Sequence, residues 1–199
     1  MNIAFHTLGC KLNFSETSFI QNDIKKTGFK EVDFNKKADI YVVNTCSVTE
    51  NANKECHYLV RKVLKKNKKA RIIIMGCYAQ LKPKEIAKIK GVDLILGNNE
   101  KFKLKEYLSN LKKQNTAKII RKEHNELYDF KSSFSIGNRT RSFLKIQDGC
   151  NYKCTFCTIP LARGKSRSDK ISNIIQRINK LKKENVKEIV LTGVNIGDF

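Results

Sequence analysis

The sequence contains no tryptophan and only 2 prolines, and it has few acidic side chains for its many basic ones. No apolar run approaches the roughly 18 residues that a membrane-spanning helix needs, so none is predicted. The N-terminal residues lack a basic region and a small-residue cleavage site, so we predict no signal peptide and a cytoplasmic protein. Hydrophobic residues make up 40% of the 199, which is enough for a core and argues against wholesale disorder.

The shortage of acidic residues leaves a large positive charge. There are 40 Lys and Arg residues against 19 Asp and Glu, a formal net charge of +21. Such a surplus attracts polyanions and favours a nucleic-acid partner. The alternative is compositional, because the chain is rich in lysine and asparagine and much of its charge can lie on solvated helix faces.

Short apolar runs alternate with helical patterns over the first 110 or so residues, and the runs predict four strands. Helices are predicted between them, the first capped by Ser15 and ending near Gly28, and the third starting at Pro83. Near-continuous apolar strands that alternate with helices predict an α/β fold with a parallel sheet. The strands are predicted at residues 3–8, 39–44, 71–75 and 92–96, and the helices at 15–28, 51–66, 83–91 and 102–111.

The pattern changes after residue 112, where the chain becomes polar and irregular apart from a short apolar stretch at 117–120. We interpret this segment as an edge element and a linker between domains. A second unit then begins, so we predict two domains, 1–137 and 138–199. The second unit contains one β-loop-α-β turn, with strands at 143–147 and 187–191 and a helix at 168–183. We interpret this unit as the start of a partial (β/α) barrel. One such turn cannot close a barrel, so we expect the unit to be incomplete, either because the chain is a fragment or because the natural product is truncated.

Three of the 7 cysteines lie close together in Cys150-Asn-Tyr-Lys-Cys154-Thr-Phe-Cys157. These loop cysteines can hold three irons of a [4Fe–4S] cluster, which ordinarily takes four protein thiolates. S-adenosylmethionine can chelate the open iron through its amino and carboxylate groups, ready for reductive cleavage to a radical. Phe156, between two ligands, can pack on an adenine. The alternatives are a zinc knuckle lacking its fourth ligand and three incidental thiols.

Three further cysteines each follow a predicted strand: Cys10 the first, Cys46 the second and Cys77 the third. If the strands are parallel and adjacent, these strand-end cysteines emerge at the carboxyl edge of one sheet, where α/β folds bind ligands. Gly9 and Gly76 precede two of them and allow close approach of the backbone to a cluster. This pattern predicts a second metal site. Three ordinary semi-buried cysteines are the alternative.

The seventh cysteine and two other segments are weaker signals. Cys56 lies inside a predicted helix and is expected to be a packed, inert thiol. The basic stretch from Pro160 through Arg163 to Ser168 leads into a helix and could contact a phosphate or carboxylate, or be a solvated loop. A glycine-flanked loop after the last strand could meet the methionine end of the cofactor, through Thr192, Gly193 and Asn195.

Taken together, these motifs resemble the radical-SAM methylthiotransferases over the whole chain. The motifs are Leu8-Gly9-Cys10-Lys11-Leu12-Asn13, Asn44-Thr45-Cys46, Met75-Gly76-Cys77-Tyr78-Ala79-Gln80 and the Cys-x3-Cys-x2-Cys loop. Within the family, Gly-Cys-Lys and the segments 159–168 and 191–197 look most like the members that modify threonylcarbamoyladenosine in tRNA.

The resemblance implies two [4Fe–4S] clusters, an auxiliary one on the strand-end cysteines and a radical one on the loop cysteines. One S-adenosylmethionine would donate a methyl group to sulfur at the auxiliary cluster. Another would yield a 5′-deoxyadenosyl radical that abstracts the C2 hydrogen of the adenosine next to the anticodon, where the methylthio group is installed. The resemblance also implies a monomeric protein that is not bound to a membrane. Its partners would be tRNA, through the anticodon loop, and an electron donor such as flavodoxin or ferredoxin. No catalytic side chain is assigned.

Family resemblance also implies a longer protein, with the rest of the partial barrel and a C-terminal RNA-binding β-barrel. Two alternatives stay open from the sequence. One is a methylthiotransferase for another modified tRNA adenosine or for a ribosomal protein. The other is an inactive fragment that binds clusters and RNA.

Overall fold

The computed structural model describes residues 1–46, 50–109, 111–127, 129–135 and 141–199. The predicted boundary between residues 137 and 138 lies outside these ranges and stays a prediction. In the described ranges, no helix has both the length and the apolar character of a membrane span.

A six-stranded parallel sheet forms the centre of the first unit, in the order β2-β1-β3-β4-β5-β6. Its middle strands, β3 and β4, are almost wholly buried, as strands covered on both faces are. The predicted α/β class with a parallel sheet is therefore confirmed. The strands are β1 (Asn2–Thr7), β2 (Lys30–Glu31), β3 (Ile40–Thr45), β4 (Arg71–Gly76), β5 (Leu94–Leu96) and β6 (Lys118–Ile120).

Helices cover both faces of this sheet and divide the core into two apolar layers. One layer packs Leu59, Val60 and Val63 of α2 on the sheet. The other packs Ile20 and Ile24 of α1, together with the leucines of α5. The helices are α1 (Lys11–Lys25), α2 (Glu50–Lys66), α3 (Cys77–Leu81), α4 (Pro83–Ala87) and α5 (Leu104–Leu108).

The second unit contains a three-stranded sheet, ordered β11-β8-β7. β8 pairs in parallel with β11, and α7 connects them, so the predicted β-loop-α-β turn is confirmed. β7 adds an antiparallel edge, and β9 pairs with β10 in the loop region. The elements are β7 (Ser133–Phe134), β8 (Arg141–Lys145), β9 (Gln147–Asp148), α6 (Ile159–Arg163), β10 (Arg167–Ser168), α7 (Ile171–Lys183) and β11 (Glu188–Thr192).

Several predicted boundaries are wrong. The first helix begins at Lys11, with Cys10 in extended conformation at its N-cap. Ser15 therefore lies inside the helix, where its hydroxyl donates to the carbonyl of Leu12 and caps nothing. The helix predicted at 83–91 ends at Ala87, the strand predicted at 92–96 is reduced to β5, and the strand predicted at 143–147 is divided between β8 and β9.

Candidate functional site

The strand-end cysteines lie at the same edge of the large sheet, as the sequence predicts. They follow β1, β3 and β4, which are adjacent and parallel. Cys10 is exposed at the N-cap of α1, whereas Cys46 and Cys77 are buried. The structure thus brings three thiols from distant parts of the chain to one edge, and their role as ligands stays a prediction.

Close contact between Gly9 and Cys46 fixes the arrangement of this edge. Gly9 has a φ of +94°, which side chains other than glycine rarely adopt, and an added Cβ would lie 2.8 Å from Cys46 Sγ. The close approach that the glycine permits is therefore to a cysteine of the same set.

We predict that Gly9→Ala destabilises the chain far more than Gly28→Ala. Gly28 also has a positive φ (+83°), but an added Cβ there meets nothing within 4 Å. Gly28→Ala should lower the free energy of unfolding by about 1 kcal/mol, the strain of the left-handed backbone. Gly9→Ala should lower it by roughly 3 kcal/mol, because overpacking adds about 1–3 kcal/mol. Urea unfolding followed by circular dichroism measures both, and equal losses would contradict the contact.

The loop cysteines lie between β9 and α6, outside regular structure. Cys154 is exposed, and Cys150 and Cys157 are partly buried. The amide of Cys150 donates to Gly164 O (3.1 Å), and that of Cys157 donates to Cys154 O (3.0 Å). These bonds fold the loop back on the end of α6, so its thiols stay on one short turn. Phe156 is 88% exposed and free to stack on a ligand.

A glutamine that the sequence did not signal joins this loop to the loop after β11. Gln147 Oε1 accepts hydrogen bonds from the amides of Val194 (2.8 Å) and Asn195 (2.9 Å). Its Nε2 donates to Gly149 O at 2.8 Å, directly before the first loop cysteine. Thr192 and Gly193 precede these amides, so the segment predicted to meet the cofactor lies beside the loop cysteines. Their cofactor contacts stay predictions.

Two asparagines connect the strand-end cysteines to α6, the helix that follows the loop cysteines. Asn13 Nδ2 donates to Leu8 O and Thr45 O, both at 3.0 Å, and its Oδ1 accepts from Arg163 (2.7 Å). Asn13 therefore connects the ends of β1 and β3 to the last residue of α6.

The second asparagine, Asn98, does the same for β4. Its Nδ2 lies 3.7 Å from Cys77 Sγ and donates to Ala162 O at 2.6 Å. Helix α3, which Cys77 begins, packs directly on α6. A single side chain therefore connects Cys77 to α6, the helix that directly follows the loop cysteines.

The donor chemistry of each set suits iron–sulfur binding. Thiolates are the ligands that such clusters take, and each set offers three. In the parts of the chain that the structure describes, no three His, Cys, Asp or Glu side chains converge on a single metal ion. A [4Fe–4S] cluster takes its ligands on separate irons, so its cysteines need not converge on one point.

Two other expectations from the sequence have definite outcomes. Cys56 is fully buried in α2, and burial raises the pKa of its thiol to about 12, as befits an inert thiol. For the basic stretch 160–168, the alternative of a solvated loop is wrong at Arg163, whose contacts are with carboxylates of the chain itself. Arg163 ends helix α6, is buried, and contacts the carboxylates of Glu16 and Asp148.

Sequence comparison identifies a known family in each unit. Residues 2–97 match the family described as "Uncharacterized protein family UPF0004", and residues 144–198 match the Radical SAM superfamily. The threonylcarbamoyladenosine tRNA methylthiotransferase MtaB of Aquifex aeolicus is 39% identical over 204 residues, which cover 100% of this chain and 49% of that protein.

Further relatives show the same pattern. MtaB of Bacillus subtilis is 39% identical over 201 residues, covering 99% of this chain and 44% of its own length. The tRNA-2-methylthio-N(6)-dimethylallyladenosine synthase of Clostridium tetani is 31% identical over 205 residues. The match covers 97% of this chain and 44% of that protein. The chain spans about half the length of these curated relatives.

Proposed function

We propose that this chain, which belongs to the radical-SAM methylthiotransferase family, is the N-terminal, cluster-binding part of a tRNA-modifying enzyme. The enzyme methylthiolates C2 of N6-threonylcarbamoyladenosine, next to the anticodon. The observation that carries the proposal is that hydrogen bonds connect the ends of the cysteine-bearing strands to α6, which directly follows the loop cysteines. Methylthiolation needs a radical and a sulfur donor together at one substrate carbon, and the connection of both thiol sets to α6 supports such a pairing.

The loop cysteines would hold the radical cluster and the strand-end cysteines the auxiliary cluster, each a [4Fe–4S] cluster. When bound, the clusters and S-adenosylmethionine would supply the radical that activates the substrate C–H bond and the methylthio group that replaces hydrogen. The chain's own contribution is to position the two sets. Asn13 and Asn98 do so by fixing all three strand ends to α6.

The S-adenosylmethionine site would lie between the loop cysteines and the loop after β11. Phe156 is exposed and would stack on the adenine. Thr192, Gly193 and Asn195 would face the methionine end, held in place by the bonds of Gln147 to the loop backbone. Three protein ligands leave one iron for the cofactor's amino and carboxylate groups.

The RNA would be bound largely through its phosphates. With 40 basic residues against 19 acidic ones, the chain has the charge that backbone binding requires. Bases of a single-stranded anticodon loop can be splayed out into a pocket, as C2 chemistry requires. An electron donor such as flavodoxin or ferredoxin, a monomeric state and a cytoplasmic location complete the proposal.

Mass spectrometry of tRNA nucleosides tests the substrate. In a strain lacking the full-length gene, we expect the methylthio group to disappear from threonylcarbamoyladenosine, and a plasmid carrying the full-length gene to restore it. The same plasmid with Cys154→Ala should not, because the radical cluster would be missing.

Other outcomes identify the alternatives. Loss of the methylthio group from an isopentenyl-type adenosine would move this enzyme to the class of the Clostridium tetani relative. An unchanged tRNA nucleoside profile would refute a tRNA substrate, and the ribosomal proteins would then be the material to analyse.

A further inference from the structure

Five charged side chains are buried where the two units meet. Three are cations, Lys101, Lys145 and Arg163, here called the buried cation group, and two are carboxylates, Glu16 and Asp148. They come from different elements of both units, since Glu16 lies on α1 and Arg163 on α6.

Glu16 is the centre of this arrangement. Its carboxylate accepts from Lys101 at 2.6 Å, from Lys145 at 2.8 Å, and from both terminal nitrogens of Arg163 at 3.0 and 3.2 Å. Asp148 accepts from Lys145 at 3.0 Å and from Arg163 at 2.9 Å. Each cation of the group is thus in contact with at least one carboxylate.

Positive charge is nevertheless in excess. Three buried cations share two carboxylates, and Arg167 adds a fourth cation at the edge, 3.3 Å from Asp148. An uncompensated charge away from water is unfavourable, so such a surplus calls for a nearby anion. Glu100 is buried too and precedes Lys101 in the chain, but even with its charge the four cations outnumber the carboxylates by one.

A predicted cluster ligand, Cys77, lies one side chain away from the group. Asn98 joins the two, because its Oδ1 accepts from Lys101 at 2.8 Å and its Nδ2 lies 3.7 Å from Cys77 Sγ. Asn98 therefore joins Lys101 of the buried cation group to a predicted ligand of the auxiliary cluster.

We infer that the buried cation group compensates the negative charge of the auxiliary cluster at the strand-end cysteines and raises its reduction potential. Its members act through space and through Asn98, so they are positioning residues and not ligands. The inference rests on the proposed function, because it presupposes an iron–sulfur cluster at these cysteines. Net charge, burial and hydrogen bonds to the sulfurs are the properties that set cluster potentials. The group supplies buried positive charge, and Asn98 supplies a hydrogen bond to the sulfur of Cys77.

Lys101→Met is the informative variant. It removes one positive charge but leaves Glu16 paired with Lys145 and Arg163, so the fold should survive. The measurement is an anaerobic redox titration of the reconstituted 199-residue chain, followed by electron paramagnetic resonance. All proteins carry Cys150→Ala, Cys154→Ala and Cys157→Ala, so that only the auxiliary cluster gives a signal.

Lys101→Met should lower the reduction potential of the cluster. At a given applied potential we expect the ratio of oxidised to reduced cluster to change about tenfold, and for one electron this corresponds to a shift of about 59 mV. Lys101→Arg keeps the charge and should restore the wild-type potential. Lys113→Met is the matched control. It breaks a lysine–carboxylate pair with Asp93, which precedes β5 at the opposite edge of the sheet, and should leave the potential unchanged.

Each outcome has one meaning. Loss of the cluster in Lys101→Met but not in Lys101→Arg would also support the inference, because the charge would then be needed to hold it. Equal potentials in Lys101→Met and Lys113→Met, or equal changes in Lys101→Met and Lys101→Arg, would overturn it. A background protein that binds no iron would overturn the proposed auxiliary cluster and this inference with it, so the two failures are distinguishable.

Discussion

Glu16→Gln is expected to destabilise the chain by about 3–5 kcal/mol, the usual effect of removing one partner from a buried ion pair. The glutamine has nearly the same size, so the effect comes from charge. Lys101, Lys145 and Arg163 would then share Asp148 alone, and Lys101 has no contact with it. Folded domains are stable by only about 5–15 kcal/mol, so this is a large fraction of the total.

Glu188→Gln is the matched control for this substitution. Glu188 pairs with Arg141 at 3.1 Å on the solvent-exposed side of the β8–β11 pair, where both side chains are at least half exposed. Exposed pairs contribute less than about 1 kcal/mol, so this variant should unfold at nearly the wild-type urea concentration. Equal urea midpoints for the two variants would show that the charges around Glu16 do not stabilise the junction.

The same carboxylates should make the chain sensitive to acid. Although burial alone would raise it, the positive charges of Arg163, Lys101 and Lys145 hold the pKa of Glu16 well below its usual value. At Asp148 burial alone would also raise the pKa, but the positive charges of Lys145 and Arg163 outweigh it and lower the pKa. A carboxyl with a lowered pKa in the folded state contributes stability above its unfolded pKa of about 4 and loses it as the pH falls further.

Urea midpoints between pH 7 and pH 3 measure this effect. The contribution of these two groups should be constant from pH 7 to about pH 5 and then fall, by about 1.4 kcal/mol for each unit by which a folded pKa lies below the unfolded one. Glu16→Gln should lose less stability over the acid range than Glu188→Gln, because a titrating group is missing. Parallel curves for the two variants would contradict the lowered pKa of Glu16.

The edge that carries the strand-end cysteines could be predicted from the sequence. Runs such as Tyr41-Val42-Val43 are apolar without alternation, which indicates strands buried on both faces, and such strands are parallel in α/β folds. Once the strands are parallel and adjacent, residues that follow them must meet at one edge. The same logic applies to Asn98, which follows β5 as Cys77 follows β4, and this signal could have identified it.

Helix α6 also has a signal in the sequence. Pro160 lies in its first turn, and Gly164 follows it with a φ of +78°, the usual asymmetry of helix ends. This asymmetry predicts a short helix after the loop cysteines, and not the solvated loop that the basic composition left open as an alternative. Arg163 is then the last helical residue, free to turn inward.

The buried charges could not have been predicted. Glu16 and Arg163 are 147 residues apart, and each has the polar character of a surface residue in its local pattern. Periodicity identifies which apolar faces are buried, but a buried ion pair depends on how two units meet. That geometry is a property of tertiary packing, which a local pattern does not contain.

The central claim is that the chain holds two four-iron clusters, one on each cysteine set, and iron counting after anaerobic reconstitution tests it most directly. Three proteins are compared with wild type: one with alanine at the loop cysteines, one with alanine at the strand-end cysteines, and Cys56→Ala as the control. Cys56 is buried in α2 and belongs to neither set.

We predict about eight irons per wild-type chain and the same number in Cys56→Ala. Each of the two triple variants should retain about four, because the sets bind independently. A single zinc ion per chain, or an iron content that neither triple variant lowers, would contradict two clusters on these cysteines.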